Sequence, residues 1–169
     1  TDNQAIYVRL SDGGKSADVN TLTSLLNTQF NIENTKESDL KQKITQYEIG
    51  YKYSSNKFKL FLTPFYTKLG NVANILYFRN ADNTAYAPPV QFNSFTTKGI
   101  EIEADVKLSD NFSVRATSVF QNSVATTYTT WIANNNGPAD DKLLTFSGNK
   151  AGGVPPVMFN IAPRYTSDK

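Results

Sequence analysis

The 169 residues include no cysteine and no histidine, and there is a single tryptophan and a single methionine. Without cysteine there is no disulfide framework, thiolate metal site or cysteine nucleophile. Without histidine, the commonest general base and the commonest metal ligand are missing too. Only carboxylates remain for metal binding or acid–base catalysis, and no pattern places two of them across a cleft as a glycosidase requires. The sequence therefore predicts a protein that is not an enzyme, with no metal or cofactor site.

Strong charge and long apolar runs are also missing. The net charge is +2, the isoelectric point is about 8.7, and no cluster of Lys or Arg is present, which argues against a nucleic-acid partner. No window approaches 18 apolar residues, so no transmembrane helix is predicted. The mean hydropathy of −0.42 suits a soluble protein, and it also suits a membrane β-barrel, whose strands turn half of their residues to a polar lumen.

What the sequence does contain is period-two alternation, which is clearest within residues 94–124. Apolar and charged residues alternate from 99 to 108, a polar turn follows at 109–111, and a second strand begins at 112. Such alternation is typical of strands with one apolar and one wet face. We expect a hairpin whose lipid-facing side carries Ile100, Ile102, Val106, Phe112 and Val114, and whose lumenal side carries Glu101, Glu103, Asp105 and Arg115. Those carboxylates are interpreted as a solvated face, because positions i and i+2 of a strand lie nearly 7 Å apart.

A second hairpin is predicted across residues 44–70, with its turn at 54–56. We expect the strands of both hairpins to exceed the usual 5–6 residues. Pro64 lacks the N–H that a ladder needs, so it should mark a bulge or an unpaired position. Further strands are predicted at 5–10 and 157–166, and residues 11–43 are interpreted as a long polar loop.

The connections alternate between short and long. The turns at 54–56 and 109–111 are tight, whereas 71–93 and 129–153 are long. This asymmetry is typical of outer-membrane barrels, while a β-sandwich has turns of similar size at both ends. We therefore expect both tight turns at one end of the sheet and both long connections at the other.

Four segments resemble TonB-dependent outer-membrane receptors. Residues 43–53 (KITQYEIGYKY) are similar to the receptor strand E-x-I-x-x-Y-E-x-G-x-K, without its leading Glu, and 95–105 (FTTKGIEIEAD) to T-x-G-[IV]-E-x-E. Residues 110–121 resemble the strand that follows, and 153–165 (GVPPVMFNIAPRY) resemble G-x-x-x-P…F-N-x-x-x-x-Y. The four occur in the receptors' order.

This resemblance implies an all-β fold, an antiparallel meander of long strands that forms a segment of a transmembrane β-barrel. Residues 1–169 would be one partial barrel domain from the C-terminal half, with about six strands and without plug domain, TonB box or terminal strand. The implied location is the outer membrane of a Gram-negative bacterium. The implied function is uptake of a scarce extracellular ligand, such as a ferric siderophore, cobalamin or an oligosaccharide. The implied partners are outer-membrane lipid and, through the plug, the TonB complex.

Aromatic residues mark two further features. Those in or beside the long connections include the candidate ligand-binding residues Tyr77, Arg79, Tyr86 and Trp131, since exposed rings stack on ligands and Arg pairs with anions. A second group is expected near the short turns as an interfacial girdle: Tyr47, Tyr51, Tyr53, Phe58 and Phe112.

Two alternatives remain open at this point. One is a small eight-stranded outer-membrane barrel, which this length would suit. The other is a soluble carbohydrate-binding β-sandwich with Trp131 and the loop tyrosines as its stacking platform.

Overall fold

The computed structural model describes residues 3–16, 41–134 and 138–167. Within those ranges no helix is long and apolar enough to cross a membrane. The elements are β1 Gln4–Ser16, β2 Lys41–Ser54, β3 Phe58–Asn74, β4 Phe78–Arg79, β5 Ala85–Tyr86, β6 Gln91–Lys107, β7 Phe112–Thr127, β8 Thr129–Ile132, a 3-10 turn Pro138–Asp140, β9 Lys142–Thr145 and β10 Val157–Tyr165. Six strands form one antiparallel sheet in the order β1-β2-β3-β6-β7-β10, and two small hairpins, β4–β5 and β8–β9, lie in the connections.

The two predicted hairpins are confirmed, and so is the expectation that their strands exceed the usual 5–6 residues. β3 and β6 have 17 residues each, and β7 has 16. β6 already begins at Gln91, inside the predicted connection, because backbone pairing with β3 continues beyond the alternating stretch. For the same reason β1 extends to Ser16 and β2 starts at Lys41, so the ends of the predicted 11–43 loop are strand, while its middle, 17–40, lies outside the described residues.

The predicted placement of the connections is also confirmed. At the turn end of the sheet, the Lys107 amide donates to the Lys57 carbonyl at 2.8 Å, which joins the two tight turns. At the opposite end, here called the loop end, the side chain of Asn93 bonds the backbone of Thr129, which brings the long connections together. The strands therefore run between one end that has the tight turns and another end that has the long connections.

The register sorts side chains onto two faces as predicted. Arg115 lies 3.2 Å from Asp105 and 3.8 Å from Glu103, so all three share one face. This polar face includes Arg9, Glu48, Lys52, Lys59, Phe61, Phe65, Glu101, Glu103, Asp105 and Arg115. The apolar face includes Ile6, Val8, Leu10, Tyr47, Ile49, Tyr51, Tyr53, Phe58, Leu60, Leu62, Tyr66, Ile100, Ile102, Val106, Phe112, Val114, Phe120, Phe159, Ile161 and Tyr165.

The apolar face is open to its surroundings. Ile6 is 74% exposed and Phe159 is 77% exposed, and no large side chain among the described residues is fully buried. An exposed apolar surface of this extent marks a site of contact with another molecule or with a membrane. Contact of this face with lipid stays a prediction.

Pro64 and the bulge occupy different places. The pairing of β2 with β3 skips from Glu48↔Phe65 to Tyr51↔Leu62 without a change of register, so the ladder is interrupted beside Pro64, as one of the two predicted outcomes required. The register shift in β3 lies between Leu69 and Val72 instead. Asn71 has φ 56° there, in the left-handed region that Asn tolerates.

Tyr53, Phe58 and Phe112 lie near the short turns as expected, whereas the expected position is wrong for Tyr47. Tyr53 and Phe58 have ring centroids 6.2 Å apart, and Phe112 pairs with Tyr165. Tyr47 instead pairs with Tyr66, also 6.2 Å between ring centroids, at the loop-end border of the apolar face. The reason is length, because the six steps from Tyr53 to Tyr47 span roughly 20 Å of strand.

Two glycines on the polar face are covered by aromatic rings of the neighbouring strand. A Cβ built on Gly50 would lie 1.8 Å from Cε1 of Tyr7, and one built on Gly99 would lie 2.7 Å from Cζ of Phe65. Phe65 interrupts the polar pattern of β3 in the sequence, and the cover it gives Gly99 explains why. Each ring closes the gap that a missing side chain leaves in the sheet surface.

These contacts predict that Gly50→Ala destabilises the intact protein. The added methyl group overlaps the ring of Tyr7, and overpacking of this kind costs about 1–3 kcal/mol. Gly152→Ala is the matched control, since nothing lies within 4 Å of a Cβ at that position. Denaturant unfolding in detergent should show a lower midpoint for Gly50→Ala alone, and equal midpoints for the two variants would contradict the interpretation of the ring as a fixed cover.

Candidate functional site

The two long connections are joined by polar bonds that the sequence does not reveal. The Asn93 side-chain amide donates to the Thr129 carbonyl at 3.3 Å, while its oxygen accepts from the Thr129 amide at 2.9 Å. Asn93 is only 2% exposed, and its buried side-chain amide bonds the Thr129 backbone as the backbone of a neighbouring strand would. Asn74 adds a bond from its amide to the Thr130 hydroxyl at 3.2 Å. The loop end is thus a built structure in which each connection holds the other.

A first cavity of about 340 Å³, the loop pocket, opens where the connections meet. The Tyr86 hydroxyl donates to the Asp141 carboxylate, with oxygen distances of 2.8 and 2.9 Å. The Trp131 indole N–H donates to the Pro89 carbonyl at 3.0 Å. The polar atoms of both rings are therefore engaged, and what the pocket presents is ring surface. Its lining is Tyr86, Ala87, Pro88, Pro89, Trp131, Pro138 and Asp141.

Burial raises the pKa of Tyr86 above its usual value, and the hydrogen bond to Asp141 and the charge of Asp141 raise it further. The side chain is 6% exposed. The neutral phenol is therefore the form that the folded loops favour. This contribution to stability is fully present below pH 10 and is lost as the pH rises through the raised pKa.

A second cavity of about 420 Å³, the mouth pocket, lies at the loop end of the polar face. Phe95 and Tyr128 have ring centroids 6.2 Å apart, and Tyr128 and Phe146 have centroids 6.3 Å apart, both pairs edge-on. This is the geometry that aromatic quadrupoles prefer. The lining is Phe95, Ala125, Tyr128, Phe146, Asn149, Lys150, Ala151 and Gly152.

The mouth pocket is held by the sheet itself. Phe95 and Thr97 lie two positions apart on β6, so their side chains share the polar face. The Thr97 hydroxyl lies 2.8 Å from the Ser123 hydroxyl on that face. The returning connection bonds along β7, where the Ala125 amide donates to the Asn149 carbonyl and the Ala151 amide to the Ser123 carbonyl, both at 2.9 Å. Lys150 is therefore positioned by backbone pairing next to the three rings, where an ammonium group can meet an anionic ligand.

The structure brings together only two of the four candidate ligand-binding residues. Tyr86 and Trp131 line the loop pocket. Tyr77 is 70% exposed and lies outside both linings. Arg79 donates from Nη1 to the carbonyl and side-chain oxygens of Asn83, at 2.9 and 3.2 Å, and so closes its own hairpin.

Sequence reasoning missed the main members of the mouth pocket. Phe95 gave a usable signal, because it is an aromatic residue at a polar-face position of an alternating strand. Phe146 and Lys150 gave none, since their partners lie 18 or more positions away and are reached only through the fold. Among the described residues, no group of three carboxylates is placed to hold a metal ion.

Comparison with known proteins gives a family and a fold. A family model for the β-barrel of TonB-dependent receptor-like proteins matches residues 1–169. A solved structure titled "Copper transporter OprC" superimposes with a TM-score of 0.53 at 13% identity, covering 100% of this chain and 30% of that one. No curated protein matches the sequence. The chain thus spans about a third of its structural neighbour, which at this identity speaks for the fold alone.

The Tyr86–Asp141 contact predicts a distinct phenol titration. In the intact protein, the difference in 295 nm absorbance between wild type and Tyr86→Phe isolates this phenol. We expect its midpoint above the ordinary value near 10, and Asp141→Asn should lower that midpoint because the carboxylate charge is gone while burial remains. A difference titration with an ordinary midpoint in wild type would show that the contact is not formed in solution.

Proposed function

Because the chain belongs to the β-barrel family of TonB-dependent receptors, we propose that it forms part of the wall and outer loops of a receptor that takes up a bulky organic ligand. Family and fold support a place for it in an outer-membrane transport receptor of a Gram-negative bacterium. The observation that carries the ligand proposal is the mouth pocket, an aromatic cluster with one lysine where the polar face opens to the loops.

In this proposal the apolar face meets lipid and the polar face lines the lumen. A transmembrane barrel needs such a division, because Lys or Arg facing lipid at mid-bilayer costs roughly 2–4 kcal/mol. The ion pairs of Arg115 with Glu103 and Asp105 support it, since they satisfy charge on the wet side. The small eight-stranded barrel is disfavoured by the family match over the whole chain, and the sandwich by the single main sheet of the described residues.

The lining of the mouth pocket favours one ligand class among the three suggested by the resemblance. Its rings offer stacking surface, and Lys150 offers the one charge of the lining, which is positive. An organic ligand with aromatic or apolar surface and negative charge fits best, so anionic ferric siderophores, such as ferric catecholates, come before cobalamin and neutral oligosaccharides. The neighbour's title names copper, but this sequence has neither the histidine nor the cysteine that copper prefers.

The candidate residues take different parts in this proposal. Trp131 would add ring surface from the loop pocket, and Tyr77 would contact ligand through its exposed ring. Tyr86 and Arg79 would act as positioning residues, because their polar atoms hold the connections in shape. Transport energy would reach the ligand through a plug domain and the TonB complex, with residues 1–169 as the partial barrel domain around them.

The division of faces predicts opposite outcomes for two neighbouring substitutions. Val106→Arg in the full-length receptor puts a cation on the lipid side and should impair assembly or lower stability by about 2–4 kcal/mol. Asp105→Arg should be mild, because the ion pair it removes joins two partly exposed side chains. Heat-modifiability on gels and yield in the outer membrane measure this. If both variants assembled alike, or Asp105→Arg were the worse, the faces would be assigned wrongly.

The mouth pocket predicts a loss of ligand affinity on removal of one ring. Tyr128→Ala in the full-length receptor should raise the concentration needed for half-maximal uptake of a labelled ferric siderophore about tenfold, which corresponds to about 1.4 kcal/mol. Tyr128→Phe keeps the ring and is the matched control. Uptake should be compared across ferric hydroxamate, ferric catecholate, cobalamin and maltooligosaccharide probes.

Two outcomes of this assay are decisive. A selective loss for the anionic ferric probes supports both the pocket and the ligand class. Unchanged uptake of every transported probe by Tyr128→Ala would remove the mouth pocket from the function, while the family assignment would stand.

A further inference from the structure

One lysine of the polar face is held by aromatic rings instead of a carboxylate. The Lys52 Nζ lies 4.9 Å from the centre of the Tyr7 ring and 5.7 Å from that of the Phe61 ring. Arg9 on the next strand, by contrast, pairs with Glu48 at 3.5 Å. In the described part of the chain, no carboxylate forms an ion pair with Lys52, whose side chain is exposed. Its charge is therefore available to an anion from outside the sheet.

The two rings beside this lysine are built into the wall. Tyr7 covers Gly50, and its hydroxyl lies 3.3 Å from the Thr63 hydroxyl of β3. Phe61 lies directly opposite Lys52 in the pairing of β2 with β3. Cation–π contacts hold an ammonium group in place while its hydrogen-bond donors stay free. Tyr7, Lys52 and Phe61, here called the wall cluster, thus form a preorganised surface that is both aromatic and cationic.

The wall cluster repeats the chemistry of the mouth pocket, where three rings also lie beside a single lysine, Lys150. The register gives the distance between the two sites, because Phe61 is opposite Glu103, eight positions along β6 from Phe95. Eight positions of strand span roughly 26 Å. Phe65 lies halfway, four positions from Phe61 on the same face. Rings therefore recur down the polar face from the loop end, in steps of about 13 Å.

Charge divides the polar face beside the wall cluster. On β6, the nearest positions of this face carry Glu101, Glu103 and Asp105. Arg115 pairs with two of these carboxylates, which leaves Glu101 without an ion pair among the described residues. On β2 and β3, the positions around the cluster carry Lys52 and Lys59. An anionic molecule that follows this face is therefore drawn toward the wall cluster and away from β6.

We propose that the wall cluster is a second binding site for the transported ligand, which an anionic organic molecule occupies on its way from the mouth pocket through the receptor. This inference rests on the proposed function, which supplies the ligand class and the lumenal position of the polar face. Tyr7 and Phe61 contact the apolar or aromatic surface of the ligand, and Lys52 pairs with its negative charge. Successive weak sites favour passage, because each one binds the ligand well enough to receive it and weakly enough to release it.

Uptake kinetics of the full-length receptor test this, with radiolabelled ferric enterobactin, an anionic ferric catecholate, as the probe. Lys52→Gln removes the charge and should lower the maximal uptake rate about fivefold. The concentration for half-maximal uptake should stay within about twofold of wild type, because the mouth pocket is unchanged. Lys52→Arg keeps both the charge and the stacking on the rings, and should retain about half of the wild-type rate or more.

Lys107→Gln is the matched control, because it removes a lysine from the same face at a distance from the wall cluster. It lies two strands and four rows from Lys52, roughly 16 Å away, which exceeds the Debye length of about 8 Å. Its maximal uptake rate should equal that of wild type. The amount of each variant in the outer membrane, measured by immunoblot, normalises the rates and separates slow passage from poor assembly.

Four results would contradict the second site. A wild-type maximal rate in Lys52→Gln, or an equal loss in Lys107→Gln, would overturn it while the mouth pocket stands. A higher half-maximal concentration at an unchanged maximal rate would place Lys52 in the first encounter with the ligand. New sensitivity of the Lys52→Gln cells to vancomycin would show that this lysine holds the plug domain closed instead. Absence of ferric enterobactin uptake by the wild-type receptor would overturn the proposed ligand class itself, and this site with it.

Discussion

Antiparallel register is the constraint on which the rest of this structure depends. Side chains alternate between an apolar and a polar face, so a slip of one residue would turn Glu101, Glu103 and Asp105 onto the apolar face together. Several charges facing lipid would cost an amount comparable with the stability of a domain. The covered glycines add a local lock, because the ring of Tyr7 fits only over Gly50 and the ring of Phe65 only over Gly99. Alternation selects the face, and these pairs select the position along the strand.

The loop end follows different physics. A barrel wall needs no core of its own, because lipid and lumen contact its two faces, and the described sheet has almost none. The connections beyond the wall have no such support, so they must bury their own side chains. Tyr86, Ala87 and Asn93 are among the few buried residues, and all belong to this end. A rigid aromatic surface for a ligand can therefore be built at this end.

The sequence predicted what local pattern determines and missed what distant contacts determine. Hairpins, faces and the placement of the turns follow from alternation and turn residues, which a reader of residues 94–124 can see directly. The predicted strand ends were wrong, because pairing with β3 extends β6 back to Gln91 regardless of the residue pattern there. The sequence could not predict which residues form the pockets, since Tyr86 contacts Asp141 across 55 positions and Asn93 contacts Thr129 across 36. Of the candidate ligand-binding residues, Trp131 presents its ring to the loop pocket, whereas Arg79 donates to Asn83 within its own hairpin.

In the proposed barrel, the two borders of the apolar face would set the height of the loop end above the membrane. Phe58 marks one border and Tyr66 the other, about eight residues apart on β3, or roughly 26 Å along the strand. At a tilt of about 40° this projects to roughly 20 Å, close to the 25 Å apolar band of outer-membrane barrels. Residues beyond Tyr66, and their partners on β6 and β7, then stand outside the hydrocarbon. Phe95 and the mouth pocket belong to this protruding part, where a water-borne ligand of the proposed receptor would reach the rings before the lumen.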